Sequence, residues 1–182
     1  MGGMNEIEKK EKLVKRLRSL WAWELFDSFF LPAMAVGWAA ILEQPVGLIT
    51  IYGAGLAAWL LWQGVAYWRA KLRAVETDSE VDRRLLHRLR VLKMVNWVLI
   101  GTLPVLVGIE ALSGDVFRSL WDAVAGLGLY TLAVLEQVNY YYYQLMYDYA
   151  PDRRWLVAQK RLKRSSLSRA LDRLSEVERA SV

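Results

Sequence analysis

The basic residues of this chain are confined to three stretches. Of its 24 Lys and Arg residues, 23 lie within residues 9–18, 69–93 and 153–179, and the remaining one is Arg118. The segments between these stretches are long and apolar. Because short loops rich in Lys and Arg stay on the cytoplasmic side of a membrane, this distribution predicts a protein of the plasma (inner) membrane with cytoplasmic N- and C-termini.

Four apolar segments are long enough to cross a bilayer core, which takes about 20 helical residues. We expect spans at about 21–42, 46–68, 92–112 and 119–147, arranged as two antiparallel hairpins. The second span contains no charged residue and lacks the polar–apolar period of about 3.6 residues that is typical of a soluble bundle. The predicted fold class is therefore an all-α integral membrane protein with four transmembrane helices.

Charged segments flank and connect the predicted spans. Residues 1–20 predict an amphipathic N-terminal helix, and residues 148–182 predict a basic amphipathic helix that lies along the membrane. The loop 69–91 predicts a helical stub that begins with a capping box, in which Ser79 precedes Asp82 by three residues. Each Lys or Arg contributes about 1 kcal/mol near an anionic lipid surface. We therefore expect membrane lipids, including anionic headgroups, as partners, and no nucleic acid.

The composition excludes several kinds of site. The chain has no Cys and a single His, His87. Thiolate ligands, Cys nucleophiles and a haem held between two His ligands are thus excluded. A di-iron carboxylate site is also unexpected, because the sequence has no Glu-x-x-His pair. We expect neither a metal nor a cofactor.

Polar side chains inside the predicted spans form the candidate site. A charge at the centre of a span costs about 2.5–3.5 kcal/mol, so such residues usually face protein or a water-filled cavity. At a rise of about 1.5 Å per residue, each span places one polar group in its cytoplasmic half. We predict that the groups of this polar layer converge within one bundle rather than facing lipid: Asp27, Gln63, Asn96 and Glu136.

The fourth span adds an aromatic face to this layer. Its residues Asn139, Tyr140, Tyr143 and Tyr147 follow Glu136 along one helical stripe, and an adjacent stripe carries Gln137, Tyr141 and Gln144. We expect this face to line a crevice that opens to the cytoplasm. On the first span, Glu24 and Asp27 lie one turn apart on a common face, which could oppose this face of the fourth span.

Three functional interpretations of the layer stay open. In the first, its groups are interhelical hydrogen bonds, worth about 0.6 kcal/mol each, in an accessory or scaffold subunit that engages a partner or lipid. In the second, Glu136 and the tyrosines hold a small cationic or protonatable ligand of a carrier or receptor. In the third, Glu136 or Asp27 is the acid or base of an intramembrane enzyme. We favour the first, within a homo-oligomer or a larger membrane complex, and assign no catalytic residue.

Overall fold

The computed structural model describes residues 5–113, 116–147 and 150–180, and over this part the chain is helical, with no strand. Its helices are α1 (Glu6–Ile41), α2 (Leu48–Glu76), α3 (Arg83–Ser113), α4 (Leu120–Tyr141), α5 (Ala150–Gln159) and α6 (Ser166–Ala180). The all-α prediction is therefore confirmed. α1 continues unbroken from the charged N-terminal segment into the first apolar segment.

Three helices, α1, α2 and α3, are long and apolar enough to cross a membrane. α4 is not among them. Its 22 residues include Asp122 in the first turn and the pair Glu136 and Gln137 near the end, and these lower the hydropathy of a short helix. Hydropathy alone thus supports a membrane protein with three candidate spanning helices.

α2 is the central helix, with α1 packed along one side and α4 along the other. The apolar core of this arrangement contains Leu56, Ala57 and Leu60 of α2 together with Ala133 of α4. α2 and α4 approach closely at Gly53, where a Cβ atom would lie 2.6 Å from the carbonyl oxygen of Gly126. Glycine is therefore needed at this crossing, as is typical of tightly packed membrane helices.

Large apolar side chains cover the outward faces of α1 and α3. Trp23, Phe29 and Trp38 of α1 are exposed, as are Met94 and Val98 of α3. Exposed apolar surface of this extent is unusual for a soluble monomer. It is the surface that lipid tails would cover.

A buried carboxylate joins α2 to α4 at the end of the bundle away from the basic segments. Asp122 is 1% exposed, and its Oδ1 accepts from the backbone N–H groups of Gly47 at 2.9 Å and Thr50 at 3.2 Å. The Thr50 hydroxyl donates to the same oxygen at 2.7 Å. Gly47 is the N-cap residue of α2, and Thr50 lies in its first turn. N–H groups at this end of a helix have no intrahelical acceptor. Asp122 of α4 therefore caps α2.

The C-terminal segment folds back onto the basic end of the bundle, which we call the inner end. α6 buries Leu167, Leu171 and Leu174 in an apolar cluster, whose other members are Tyr67 of α2, Leu86 and Leu89 of α3, Tyr140 and Tyr141 of α4, and Ala170 of α6. The sequence predicted one helix lying along the membrane. Instead there are two helices, and protein covers the apolar face of the second.

Backbone pairing explains why this segment divides. Lys160, just after α5, has a positive φ of 49°, which ends the helical path. The N–H of Gln144 then donates to the carbonyl of Lys163 at 2.8 Å, and the N–H of Ser165 donates to that of Tyr142 at 3.1 Å. The connection between α5 and α6 is thus held against the residues that follow α4.

Two predicted helix ends are wrong. α3 begins at Arg83, and Asp82 is the capping residue, since its Oδ1 accepts from the N–H of Arg84 at 2.9 Å. Ser79 bonds the hydroxyl of Thr77 instead. At the other end of the bundle core, α4 stops at Tyr141 rather than continuing to 147, so the predicted stripe is helical only as far as Tyr140.

Candidate functional site

Five polar side chains from α2, α3 and α4 form a hydrogen-bonded group that we call the amide cluster: Trp59, Gln63, Asn96, Gln137 and Tyr141. Asn96 Nδ2 donates to Gln63 Oε1 at 2.9 Å and to Gln137 Oε1 at 2.8 Å. Its Oδ1 accepts from Gln63 Nε2 and Trp59 Nε1, both at 3.0 Å. The Tyr141 hydroxyl donates to Gln63 Oε1 at 2.6 Å.

The amide cluster is closed to ligands. Asn96, Gln137 and Tyr141 are each 0% exposed, and the amide groups satisfy one another. Gln137 also donates from Nε2 to the carbonyl of Lys93 at 3.0 Å. Buried polar groups with all their partners inside the protein fix helix positions, so the cluster holds α3 against α2 and α4 rather than binding a small molecule.

A second polar region surrounds a cavity of about 170 Å³ at the inner end of the bundle. We call this cavity the inner pocket. Its charged lining residues come from α1, α2, α4, α5, α6 and the segment before α6: Arg16, Glu24, Lys71, Glu136, Asp152, Lys163 and Arg169. Apolar side chains of α1 complete the wall, among them Leu13 and Leu20.

One side of the inner pocket is acidic. Glu24 of α1 accepts hydrogen bonds from the Tyr140 hydroxyl through Oε2 and from Trp68 Nε1 through Oε1, the latter at 3.2 Å. Glu136 of α4 accepts from Asn139 Nδ2 at 3.2 Å. α2 comes close to both helices here because it has Gly64, where a Cβ atom would overlap Glu24 and Tyr140.

The opposite side is basic, and Lys71 of α2 is its central residue. Lys71 Nζ donates to the hydroxyl of Ser166 and lies 5.4 Å from the ring centroid of Trp68. Four cations act on Lys71 electrostatically, namely Arg16, Lys163, Arg169 and Arg173. Within the described part of the chain, Lys71 and Arg169 form no ion pair with a carboxylate. The pocket therefore contains two cations that no carboxylate of the described residues pairs with.

The other two cations of the rim are neutralised by Asp152 of α5. Its carboxylate accepts from Arg16 at 3.0 Å, from Lys163 at 3.1 Å and from Gln144 at 3.1 Å. Burial alone would raise the pKa of Asp152, but these hydrogen bonds outweigh it and hold the pKa below its usual value. Asp152 thus stays ionised at neutral pH and ties α1, α5 and the segment before α6 together.

The start of α6 adds to the positive side of the pocket. Ser165 and Ser166 line the cavity, and α6 begins at Ser166. Ser165 caps the helix, since its Oγ accepts from the N–H of Ser168 at 3.0 Å. A helix N-terminus carries a partial positive charge and free N–H groups, both of which favour an anion.

The predicted residues divide between two polar groups. Gln63 and Asn96 bond each other in the amide cluster, whereas Glu136 and Asn139 line the inner pocket and Tyr140 donates to Glu24 beside it. Asp27 is half-buried and interacts electrostatically with Glu24 and Glu136, but it makes no hydrogen bond within the described part of the chain. Tyr143 is 46% exposed and pairs with Arg164 through its backbone, so it lines neither group.

Sequence reasoning missed the basic side of the pocket. It assigned Lys71 to a cytoplasmic loop and placed Arg169 on a helix lying along the membrane. A signal for Lys71 was present, because Gly64, Trp68 and Lys71 follow one another at helical spacing on one face of α2. The position of Arg169 had no such signal, since it depends on how α6 folds back.

Comparison of this chain with family models, with curated proteins and with solved structures gives no match. Its function is therefore inferred from the geometry of the inner pocket.

Proposed function

We propose that this chain is a four-span accessory protein of the plasma membrane, with both termini cytoplasmic, that binds the phosphate group of a membrane lipid in the inner pocket. The observation that supports it is the pair Lys71 and Arg169, which line the pocket without an acidic partner in the described residues. Interaction with a protein complex would use the exposed apolar faces of α1 and α3.

The packing of α4 supports its role as the fourth span. At about 1.5 Å per residue, its 22 residues extend about 33 Å, enough for a bilayer core of about 30 Å. The polar groups that lower its hydropathy are satisfied within the bundle: Asp122 caps α2, and Gln137 belongs to the amide cluster. A span whose polar residues face protein partners is tolerated in a membrane.

The topology can be tested with single cysteines, because the chain has no native Cys. We expect an impermeant thiol reagent added outside intact cells to label Gln44→Cys, between α1 and α2. We expect it to label Arg84→Cys, at the start of α3, only after the membrane is opened. Labelling of Arg84→Cys in intact cells would contradict the proposed orientation.

Charge and shape both favour a lipid phosphate. A partly buried cation without a counter-charge, as Lys71 is among the described residues, is costly, and a bound anion removes that cost. Lys and Arg together with a helix N-terminus are the groups that recognise phosphate in proteins. The apolar residues Leu13 and Leu20 of the same cavity would contact the glycerol and acyl part of a lipid, whereas a free phosphate would leave them unused.

The test compares lipid retention by the wild type with that of Lys71→Gln/Arg169→Gln. Hydrogen bonds to charged groups contribute about 1.5–3 kcal/mol each, so the double variant should bind phospholipid at least about tenfold more weakly. The control is Arg73→Gln/Arg179→Gln, which removes the same charge from the same two helices outside the pocket. Native mass spectrometry of the detergent-solubilised proteins, titrated with phospholipid, measures the adducts.

Three outcomes bear on the proposal. Loss of adducts in the pocket variant with retention in the control supports it. Equal adducts in all three proteins contradict it. Thermal stabilisation by inorganic phosphate or glycerol phosphate as strong as that by phospholipid would show that the site takes a soluble phosphate, and would contradict the lipid assignment.

A further inference from the structure

We infer that the inner pocket selects a lipid whose headgroup carries a primary amine beside its phosphate, as phosphoethanolamine does. The phosphate would bind at Lys71 and Arg169, and the ammonium would lie at Glu24 and Glu136. This inference rests on the proposed phosphate site and specifies the class of lipid that fills it.

The first argument is the separation of charge within the pocket. Trp68 marks the boundary, since its Nε1 donates to Glu24 at 3.2 Å while Lys71 Nζ lies 5.4 Å from its ring centroid. Among the described residues, neither glutamate forms an ion pair with Lys71 or Arg169, or with any other cation. One small cavity thus has an acidic side and a basic side that do not neutralise each other. A zwitterionic headgroup supplies the missing charge to both.

The second argument is the capacity of the carboxylates to accept hydrogen bonds. An ammonium bound between Glu24 and Glu136 would keep both carboxylates ionised, and each ionised carboxylate offers about four acceptor positions. Glu24 uses two of them, for Tyr140 and Trp68, and Glu136 interacts with Asn139 and Tyr140. A primary ammonium has three N–H donors, which is what two partly occupied carboxylates can accept.

The third argument concerns the aromatic side chains and excludes a quaternary amine. Choline-type cations are held over the faces of aromatic rings. Here Trp68 and Tyr140 direct an N–H and an O–H toward Glu24. The rings of Tyr67 and Trp68 already have Lys71 near them, at 5.9 and 5.4 Å from their centroids. The described residues of the site therefore form no aromatic cage that would favour a trimethylammonium group.

An anionic headgroup without an amine is also a poorer ligand. Phosphatidylglycerol could contact Lys71 and Arg169, but it would leave Glu24 and Glu136 without a counter-charge. A carboxylate left unpaired in a poorly solvated site is costly. Phosphatidylethanolamine satisfies both sides, so we expect it to bind about tenfold more tightly than phosphatidylglycerol or phosphatidylcholine with the same acyl chains.

The first experiment is a competition among these three lipids for the wild-type protein, measured by native mass spectrometry. The competition is repeated with Glu24→Gln/Glu136→Gln, which should lose the preference for ethanolamine while retaining phosphate-dependent binding. The matched control is Glu80→Gln/Glu176→Gln, two exposed glutamates whose loss should leave the preference unchanged. Thermal unfolding of each variant checks that it folds.

The results separate this inference from the proposed function. If the wild type binds the three lipids equally and Lys71→Gln/Arg169→Gln abolishes the binding, the amine inference is overturned and the phosphate site stands. If Lys71→Gln/Arg169→Gln leaves binding unchanged, the proposed function falls. A preference for ethanolamine that survives in Glu24→Gln/Glu136→Gln also overturns the inference.

Discussion

Replacing Asn96 with alanine should destabilise the bundle more than other single truncations on α3. Asn96 makes four hydrogen bonds, two to Gln63, one to Trp59 and one to Gln137. It thereby joins α3 to both α2 and α4. α3 has far fewer contacts with the bundle than α1 or α4 has with α2, so these bonds carry a large share of its attachment.

The expected loss follows from the bonds themselves. Side-chain hydrogen bonds between membrane helices average about 0.6 kcal/mol, so four of them contribute about 2 kcal/mol. Gln137 Oε1 would also stay buried without its donor, at a further cost of about 1–3 kcal/mol, whereas Gln63 keeps the Trp59 carbonyl and the Tyr141 hydroxyl as partners. We therefore expect Asn96→Ala to reduce the free energy of unfolding by about 3–5 kcal/mol.

Unfolding in mixed micelles with increasing SDS, followed by tryptophan fluorescence, measures this loss. Thr102→Ala is the matched control on the same helix, because its exposed hydroxyl bonds only the carbonyl of Val98 in α3 itself. It should change the free energy of unfolding by less than about 0.5 kcal/mol. A double-mutant cycle with Gln137→Ala should give a coupling energy of about 0.5–3 kcal/mol. Additive effects, or an Asn96→Ala loss no larger than the control's, would refute the assigned role of the cluster.

Three further predictions concern the other contacts that hold the fold. Gly47→Ala should destabilise by at least about 1 kcal/mol, because its Cβ would overlap Asp122, and SDS unfolding measures this. Asp152→Asn should lower the thermal stability at pH 7. Hydrogen bonds that outweigh burial hold the pKa of Asp152 below its usual value. The extra stability of the wild type over Asp152→Asn should therefore be complete above about pH 4 and decline at lower pH. An unchanged melting temperature from pH 7 to pH 3 for both proteins would contradict this. Leu171→Ala should cost about 2–5 kcal/mol and accelerate hydrogen exchange in α6, whereas no change there would contradict the docking of this helix.

The helices of the membrane region were predictable because they depend on local sequence. Hydropathy and charge segregation indicate α1, α2 and α3 as candidate spanning helices, since a long apolar segment has few alternatives to a spanning helix. Gln63 and Asn96 were predicted to converge with Asp27 and Glu136 because polar groups in apolar segments need partners, and these two bond each other in two directions. In both cases the prediction depends on the residue types themselves, and the tertiary packing does not reverse it.

The end of α4 was not predictable in this way. The repeated tyrosines after Tyr141 continue a helical pattern, and nothing local interrupts it. The helix stops because Asn139 Oδ1 accepts from the N–H of Leu145 at 2.9 Å and because residues 142–144 pair with residues 163–165. Asn competes with the helix by bonding nearby backbone groups, but the pairing partner lies some twenty residues along the chain.

The position of α6 was unpredictable for a related reason, and it determines the site. An amphipathic helix has the same apolar stripe whether it lies on lipid or on protein. The cluster partners Leu86 and Leu89 lie on the start of α3, which the charge pattern places beyond the membrane. There, lipid tails would not cover them, so burial by Leu167 and Leu171 gives the lower free energy.

The same docking brings Ser166 and Arg169 to Lys71. The basic side of the inner pocket is thus assembled by the apolar face of α6, rather than by the polar residues that suggested a site in the sequence. It follows that ligand affinity and α6 docking are linked: whatever binds across Lys71 and Arg169 must also stabilise α6 in its place. In this bundle, α1 and α4 carry the acidic side, and α6 adds Ser166 and Arg169 to Lys71 of α2 on the basic side.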